Sequence, residues 1–278
     1  MNEYFLDSSD LAKISHYRQK TVIHHSLRLG NMESLYRFFP GLAELGDVMT
    51  SDNLAGEIIP LWGNLDSPWS ILGGGKVGIS SQIVDIEQLI DERNKSLGDT
   101  HEIINESESS DIVRTRFSEG RIDYSGGPII IHRSAKIGSF VRIEGPCYIG
   151  ADSEIRHSSY LRKGSWICRG AVVGHSTEVK NSILLPNAKA PHFNYVGDSI
   201  LGIDCNLGAG TKLSNVRNDR REIIVTIEDG SRVYTGLRKL GALVGDRSQL
   251  GCNVVTNPGA ILTPFSMIPP NGTVNGFV

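Results

Sequence analysis

A period of six residues constrains this chain more than any other feature of it. Stepping by six from Ile131 reaches Ile137, Ile143, Ile149, Ile155, Leu161, Ile167, Val173, Val179 and Leu185, all aliphatic. Four residues after the first nine of these stand Ala135, Val141, Cys147, Ser153, Ser159, Ser165, Ala171, Thr177 and Ile183, which are small or β-branched almost throughout. An amphipathic helix buries a residue every 3.6 positions and an isolated strand every second one. One aliphatic residue in six instead fits very short strands joined by tight corners, three of which close a triangular coil of about 18 residues. The aliphatic residue points inward, and each strand pairs in parallel with its counterparts one coil above and below. Gly138, Gly150 and Gly174 directly follow their aliphatic residue, where a corner leaves little room for a side chain. The predicted fold is mainly β, a left-handed parallel β-helix of hexapeptide repeats over residues 116–278.

The repeat slips once, from Val196 to Leu201, then resumes through Leu207 and Leu213 and again through Val244, Leu250, Thr256 and Leu262, with Thr256 a polar residue in an inward place. Between these runs, near residues 214–240, Ile223, Val225 and Ile227 alternate ahead of an Asp229-Gly230 turn and Val233, which predicts a hairpin insertion protruding from the coil. Arg217, Arg220, Arg221, Arg238 and Lys239 crowd it, as a solvated loop or as a contact for a phosphorylated ligand or neighbouring subunit. The tail beyond Pro264, with Pro269-Pro270-Asn271-Gly272, caps the open end.

Residues 1–115 lack the period and predict a smaller mixed or helical region of unassigned role. Helical-looking pieces fall at 11–20, 32–45 and 83–95, with irregular loops over 51–80 and a polar, acid-rich linker or exposed edge over 94–111. A net charge of -3 gives no basic field for nucleic acid or an anionic membrane. Neither an apolar stretch of about 20 residues nor a basic-then-apolar leader is present, so a cytoplasmic protein is expected. Cys147, Cys168, Cys205 and Cys252 show no CxxC pair and no zinc-type histidine spacing, so they are expected to be reduced and mostly packed, with no metal.

Residues one coil apart stand about 4.8 Å from each other. Arg162 and Lys180 are such a pair; both follow an inward aliphatic residue and are expected to project from one wall. Two cations so close repel unless an anion lies between them, and a phosphate suits a guanidinium beside an ammonium. Alternatively, Glu178 and other acids simply neutralise the ladder. Residues 188–198 break first the apolar rule and then the period, and His192 is the one group there suited to proton transfer near neutrality.

Glu178-Val179-Lys180-Asn181-Ser182, the stretch from His192 through Tyr195-Val196-Gly197-Asp198-Ser199, and Asn206-Leu207-Gly208-Ala209-Gly210-Thr211 followed by Asn215 together resemble a known family in order and spacing. It is the acetyltransferase domain of the bifunctional UDP-N-acetylglucosamine pyrophosphorylase and glucosamine-1-phosphate acetyltransferase, particularly its archaeal-type and stand-alone relatives. The likeness spans about residues 128–263, and Ser67-Pro68-Trp69-Ser70-Ile71-Leu72 resembles a motif joining the two halves of such relatives. The resemblance implies acetyl-CoA-dependent N-acetylation of glucosamine 1-phosphate or a related sugar nucleotide. It implies His192 as general base and Glu178 orienting the base or the sugar. It assigns the sugar phosphate to Arg162, Lys180 and Tyr195, the sugar to Asn206 and Asn215, and a backbone contact for the acetyl-CoA end to Ala209. It further implies a homotrimer with sites between adjacent prisms. The first hundred residues lack a glycine-rich nucleotide-binding loop with a following Arg and Lys, so nucleotidyl transfer is not expected. Two other readings remain open: transfer of a longer acyl chain or to a hydroxyl, and a non-catalytic hexapeptide scaffold that binds sugar nucleotides or partners a separate nucleotidyltransferase.

Overall fold

The computed structural model describes residues 32–45, 58–62, 65, 67–87, 101–104 and 123–278. From residue 123 onward the chain winds into a three-walled parallel β-helix with walls of seven, seven and eight strands, and His101–Ile104 adds an eighth strand to the first of them. One wall stacks Ile131, Ile149 and Ile167 in register. The second stacks Ile137, Ile155, Val173 and Ala190, and the third Ile143, Leu161, Val179 and Val196. These residues share one buried core inside the prism. The polar corner residues are satisfied locally, as where Ser165 Oγ donates to the Arg162 carbonyl at 2.6 Å and Ser248 Oγ to the Gly245 carbonyl at 2.7 Å.

The step of six fails one coil earlier than the sequence suggests. Leu184, not Leu185, pairs with Ile167 and Leu201 and enters the prism, while Leu185 joins an apolar cluster outside it. Ser182 rather than Ile183 therefore occupies the small corner place, and both Val179 to Leu184 and Val196 to Leu201 are five-residue steps. Each shortened corner turns through one residue with positive φ, Asn181 at 44° and Asp198 at 47°. Asn and Asp tolerate that conformation better than other side chains.

The first wall is apolar on both faces. Its outward column, Ile130, Tyr148, Trp166, Ile183, Ile200, Leu243 and Ile261, is buried beneath the N-terminal segment and the 223–240 excursion. Trp166 is fully enclosed, and its indole N–H donates to the Ile58 carbonyl at 3.1 Å. Burial of one such ring contributes about 5 kcal/mol on an area basis. Ile224–Thr226 and Arg232–Tyr234 do form a hairpin, but Ile223, Val225 and Ile227 pack on this wall instead of protruding. The alternation that signals a hairpin also supplies an apolar face that must be buried.

Around the N-terminal segment, helices run Met32–Phe38 and Pro40–Leu45. A further helix begins at residue 79, four positions ahead of the predicted start, and is described through 87. The piece predicted at 11–20 lies outside the described residues. Asp246 ties this segment to the coil: its carboxylate accepts from Gly41 N and Ile203 N, each at 2.8 Å, and its own N–H donates to the Phe38 carbonyl. Within the stretch read as a linker or exposed edge, His101–Ile104 is the edge strand of the first wall's sheet, pairing antiparallel with Ile129–His132 and covering the first coil. Its buried ends, His101 and Ile104, outweigh the acidic composition around it. At the other end Met267–Ile268 and Thr273–Val274 extend two walls, and Phe277 bridges to Ile261. No helix among the described residues is long and apolar enough to cross a membrane.

Candidate active site

The third wall carries the polar chemistry. One outward column runs Arg142, Tyr160, Glu178, Tyr195 and Lys212 in register. Arg162, Lys180 and Gly197 form the column beside it, since Lys180 pairs with Gly197 and the Arg162 N–H donates to the Val179 carbonyl. Arg162 and Lys180 thus share a wall, one coil apart, but each already holds an acid. Arg162 Nη1 donates to Glu178 Oε1 at 2.9 Å, and Lys180 Nζ lies 3.2 Å from Asp198 Oδ2. The open gap expected between two unmatched cations is therefore filled from within, in line with the alternative in which Glu178 and other acids neutralise the ladder: Glu178 stands in the neighbouring outward column, and the shortened corner brings Asp198 to Lys180. Arg162 Nε is buried without a hydrogen-bond partner among the described residues, its nearest acid being Glu144 Oε2 at 3.9 Å.

Gly197 leaves a notch in this surface. A Cβ placed on it would meet Tyr195 Oη at 2.6 Å and Asn215 Nδ2 at 2.8 Å, so both side chains converge over the glycine next to Lys180. Burial, reinforced by the negative charges of Glu178 and Asp198, pushes the Tyr195 hydroxyl above its ordinary pKa. Tyr195 thus keeps its proton and stays a donor at neutral pH.

His192 ends the strand Lys189–His192 on the second wall, beside the corner that leads to Tyr195. Phe193 turns that corner at φ 52°. Asn194, buried, clamps it by accepting from His192 N at 3.0 Å and donating to the Gly208 carbonyl at 2.8 Å. The imidazole of His192 is exposed and makes no hydrogen bond among the described residues, while Glu178 is engaged by Arg162. Ala209 lies level with His192 one coil on, since Gly210 N donates to the His192 carbonyl at 3.0 Å; Asn206 is level with Lys189 on the same wall. The structure therefore gathers Arg162, Glu178, Lys180, Tyr195 and Asn215 on one wall, and sets His192, Asn206 and Ala209 on the wall that meets it at this edge.

The sequence reading overlooked several participants. Asp198 is a buried acceptor for Lys180, Asn181 and Asn215, and its signal is the pair of five-residue steps, of which only one had been recognised. His157 and His175 line the same edge as His192, their rings stacked at 4.1 Å, with Phe193 edge-on to His175 at 5.1 Å. The 18-residue spacing of His157 and His175 was the available signal. Among the described residues no group of three His, Cys, Asp or Glu could hold a metal ion.

The fold and the site together define the class as a parallel β-helix of hexapeptide repeats that carries a cation, carboxylate and tyrosine cluster beside an exposed imidazole. Residues 143–275 match the family described as the GMPPB C-terminal domain. The chain is 42% identical over 149 residues to the bifunctional sugar-1-phosphate nucleotidylyltransferase/acetyltransferase of Sulfurisphaera tokodaii, covering 54% of this chain and 37% of that one. It is 39% identical over 113 residues to the bifunctional protein GlmU of Methanococcus maripaludis, covering 41% and 27%. It is 34% identical over 149 residues to the uncharacterized acetyltransferase YaiX of Escherichia coli, covering 54% and 64%. The C-terminal half of the chain is thus homologous to acetyltransferases of this kind, and the chain spans only about a third of the length of the first two relatives.

Proposed function

We propose that this protein is an acetyl-CoA-dependent N-acetyltransferase whose acceptor is an amino-sugar phosphate, glucosamine 1-phosphate or a related sugar nucleotide. The observation that carries the reading is the convergence of Arg162, Lys180, Tyr195 and Asn215 on one wall, next to the corner that presents His192. Such an acceptor bears an anionic phosphate and a cationic ammonium. The phosphate has Lys180, the guanidinium of Arg162 and the Tyr195 hydroxyl to bind, and the ammonium has Glu178 once Arg162 turns to the phosphate.

His192 accepts a proton from the ammonium, and the neutral amine attacks the thioester carbonyl to form the new C–N bond. Collapse of the tetrahedral adduct breaks the C–S bond; the leaving thiolate takes up a proton, and the amide nitrogen loses its second one. Gly208, Ala209 and Gly210, partly exposed one coil from His192, offer no side chain larger than a methyl and leave room for an acyl thioester there. Most of the rate derives from holding amine and carbonyl in reacting geometry. Asn206 stands on the second wall and Asn215 on the third, so a sugar contacting both spans the edge between them. A homotrimer, in which a second prism closes that open edge, is part of this proposal, as is a cytoplasmic setting that supplies acetyl-CoA.

The test is thiol release from acetyl-CoA across a panel of amino-sugar phosphates, their nucleotide derivatives and hydroxyl acceptors, using the full chain. Turnover confined to an amino-sugar phosphate supports the proposal. No turnover with any acceptor, together with retained sugar-nucleotide binding, refutes it in favour of a non-catalytic scaffold.

A further inference from the structure

Asp198 is the most enclosed acid of the polar wall, its side chain only 4% exposed, yet donors reach it from three residues. Oδ1 accepts from Asn181 Nδ2 at 2.8 Å and Oδ2 from Asn215 Nδ2 at 2.5 Å. Lys180 Nζ lies 3.4 Å and 3.2 Å from the two oxygens. Enclosure of a carboxylate is costly unless its lone pairs are filled, and here a cation and two amides fill them. The backbone holds Asp198 equally firmly: its N–H donates to the Lys180 carbonyl at 2.9 Å, and its carbonyl accepts from Gly241 N at 2.7 Å.

The shortened corners explain how these groups meet. Asn181 and Asp198 are the single turning residues of two successive five-residue steps, both at positive φ, and so stand one coil apart with their side chains in contact. Asn181 also reaches outward. Its Nδ2 donates to the Leu72 carbonyl at 2.9 Å, the last residue of the 3-10 turn Pro68–Leu72. An amide nitrogen carries two hydrogens, one for each of these acceptors. That turn is anchored on the coil by Trp69, Ile71 and Leu72, all buried.

Resting on the proposed reading of this wall as the phosphate site, we propose that Asp198 is a positioning residue that aims Lys180 and Asn215 at the acceptor's phosphate. Asn181 makes this arrangement depend on the docked Pro68–Leu72 turn. Without the Leu72 carbonyl, Asn181 is free to rotate away, one donor leaves an enclosed carboxylate, and Lys180 loses its fixed direction. The N-terminal segment thereby tunes acceptor affinity without touching the acceptor.

A competing account makes the opposite prediction. If Asp198 merely occupies Lys180 in the absence of ligand, removing its charge frees the ammonium and tightens phosphate binding. The experiment is titration calorimetry with glucosamine 1-phosphate on the full chain and on Asp198→Asn and Asn181→Ala, alongside steady-state kinetics. Positioning predicts a dissociation constant and KM raised about tenfold or more in Asp198→Asn and about threefold to tenfold in Asn181→Ala, with kcat changed less than about threefold. A purely structural role would lower the melting temperature without splitting KM from kcat. Equal or tighter binding in both variants, with the wild-type chain binding normally, overturns the inference and leaves the functional reading standing. Failure of the wild-type chain to bind glucosamine 1-phosphate overturns both. If Asp198→Asn does not fold, Asn181→Ala decides, with Asn181→Gly as the control that keeps the positive φ of this corner, because among the described residues the side chain hydrogen-bonds only to Leu72 and Asp198.

Discussion

Gly197→Ala separates the fold from the site. The added methyl would lie 2.6 Å from Tyr195 Oη, 2.9 Å from Tyr195 Cε1 and 2.8 Å from Asn215 Nδ2, all far ends of side chains rather than backbone. Those ends must retreat by roughly 0.5–1 Å to reach ordinary contact distance. Gly197 does not adopt a left-handed φ, so alanine fits its backbone, and the lower entropy of the unfolded chain contributes about 0.4–1 kcal/mol toward stability. The repacking cost offsets this, and net stability stays within about 1 kcal/mol of wild type. The site responds differently. A hydrogen bond to a charged ligand contributes about 1.5–3 kcal/mol, so displacing Tyr195 and Asn215 lowers kcat/KM by about 10- to 100-fold, mainly through KM. Urea denaturation paired with thiol-release kinetics on the same preparation measures both quantities. Unchanged kinetics in a folded variant would remove Tyr195 and Asn215 from the acceptor site. A loss of several kcal/mol would show that the notch serves the coil instead.

Three further outcomes test the fold. Thr256 is fully buried inside the prism and its Oγ1 finds no partner among the described residues, so Thr256→Val should raise the urea midpoint by an amount equivalent to about 1 kcal/mol; a lowered midpoint would mean that the hydroxyl is satisfied. Trp166→Ala empties the space between the first wall and Ile58 and should cost about 3–5 kcal/mol in the same assay, whereas an unaffected midpoint would contradict the covering of that wall. Burial pushes the Asp246 carboxyl up to about 7 against the pull of its two backbone donors. Its folded pKa therefore exceeds the unfolded value near 3.9, and the native state holds a proton that the unfolded chain has released. Stability relative to Asp246→Asn should fall as pH rises from about 4 to 7, by up to about 4 kcal/mol, and level off above 7. Denaturation curves for the two proteins that stay parallel across this window would refute the assignment.

The coil was legible because a solenoid writes its geometry as a period. Ile131 through Val179 were placed correctly by counting alone, and the pairing of Arg162 and Lys180 on one wall followed from that count. Counting failed where the period itself changed. Leu184 and Leu185 are both aliphatic, so a step of six could not distinguish the inward one from its neighbour, and the first shortened corner passed unnoticed. That corner is what brings Asn181 to Asp198, which is why the buried acceptor was not foreseen. The sequence offers Glu178 as a neutralising acid, but it does not show which cation Glu178 meets, nor that Asp198 meets Lys180. These pairings depend on side-chain directions across adjacent columns, which periodicity does not encode. Among the described residues between 32 and 87 the apolar side chains follow no period because they fit the outward column of the first wall, and each element's pattern follows that surface.

In the proposed reaction the coil sets an imidazole beside the wall that binds the phosphate and uses it to deprotonate the amine. The most direct measurement is kcat for acetylation of glucosamine 1-phosphate by His192→Ala. His192 is exposed and its ring holds nothing in place, so the variant should fold normally. In this variant kcat should fall by about 100-fold or more, with acceptor affinity nearly unchanged. A fully active His192→Ala would contradict this role.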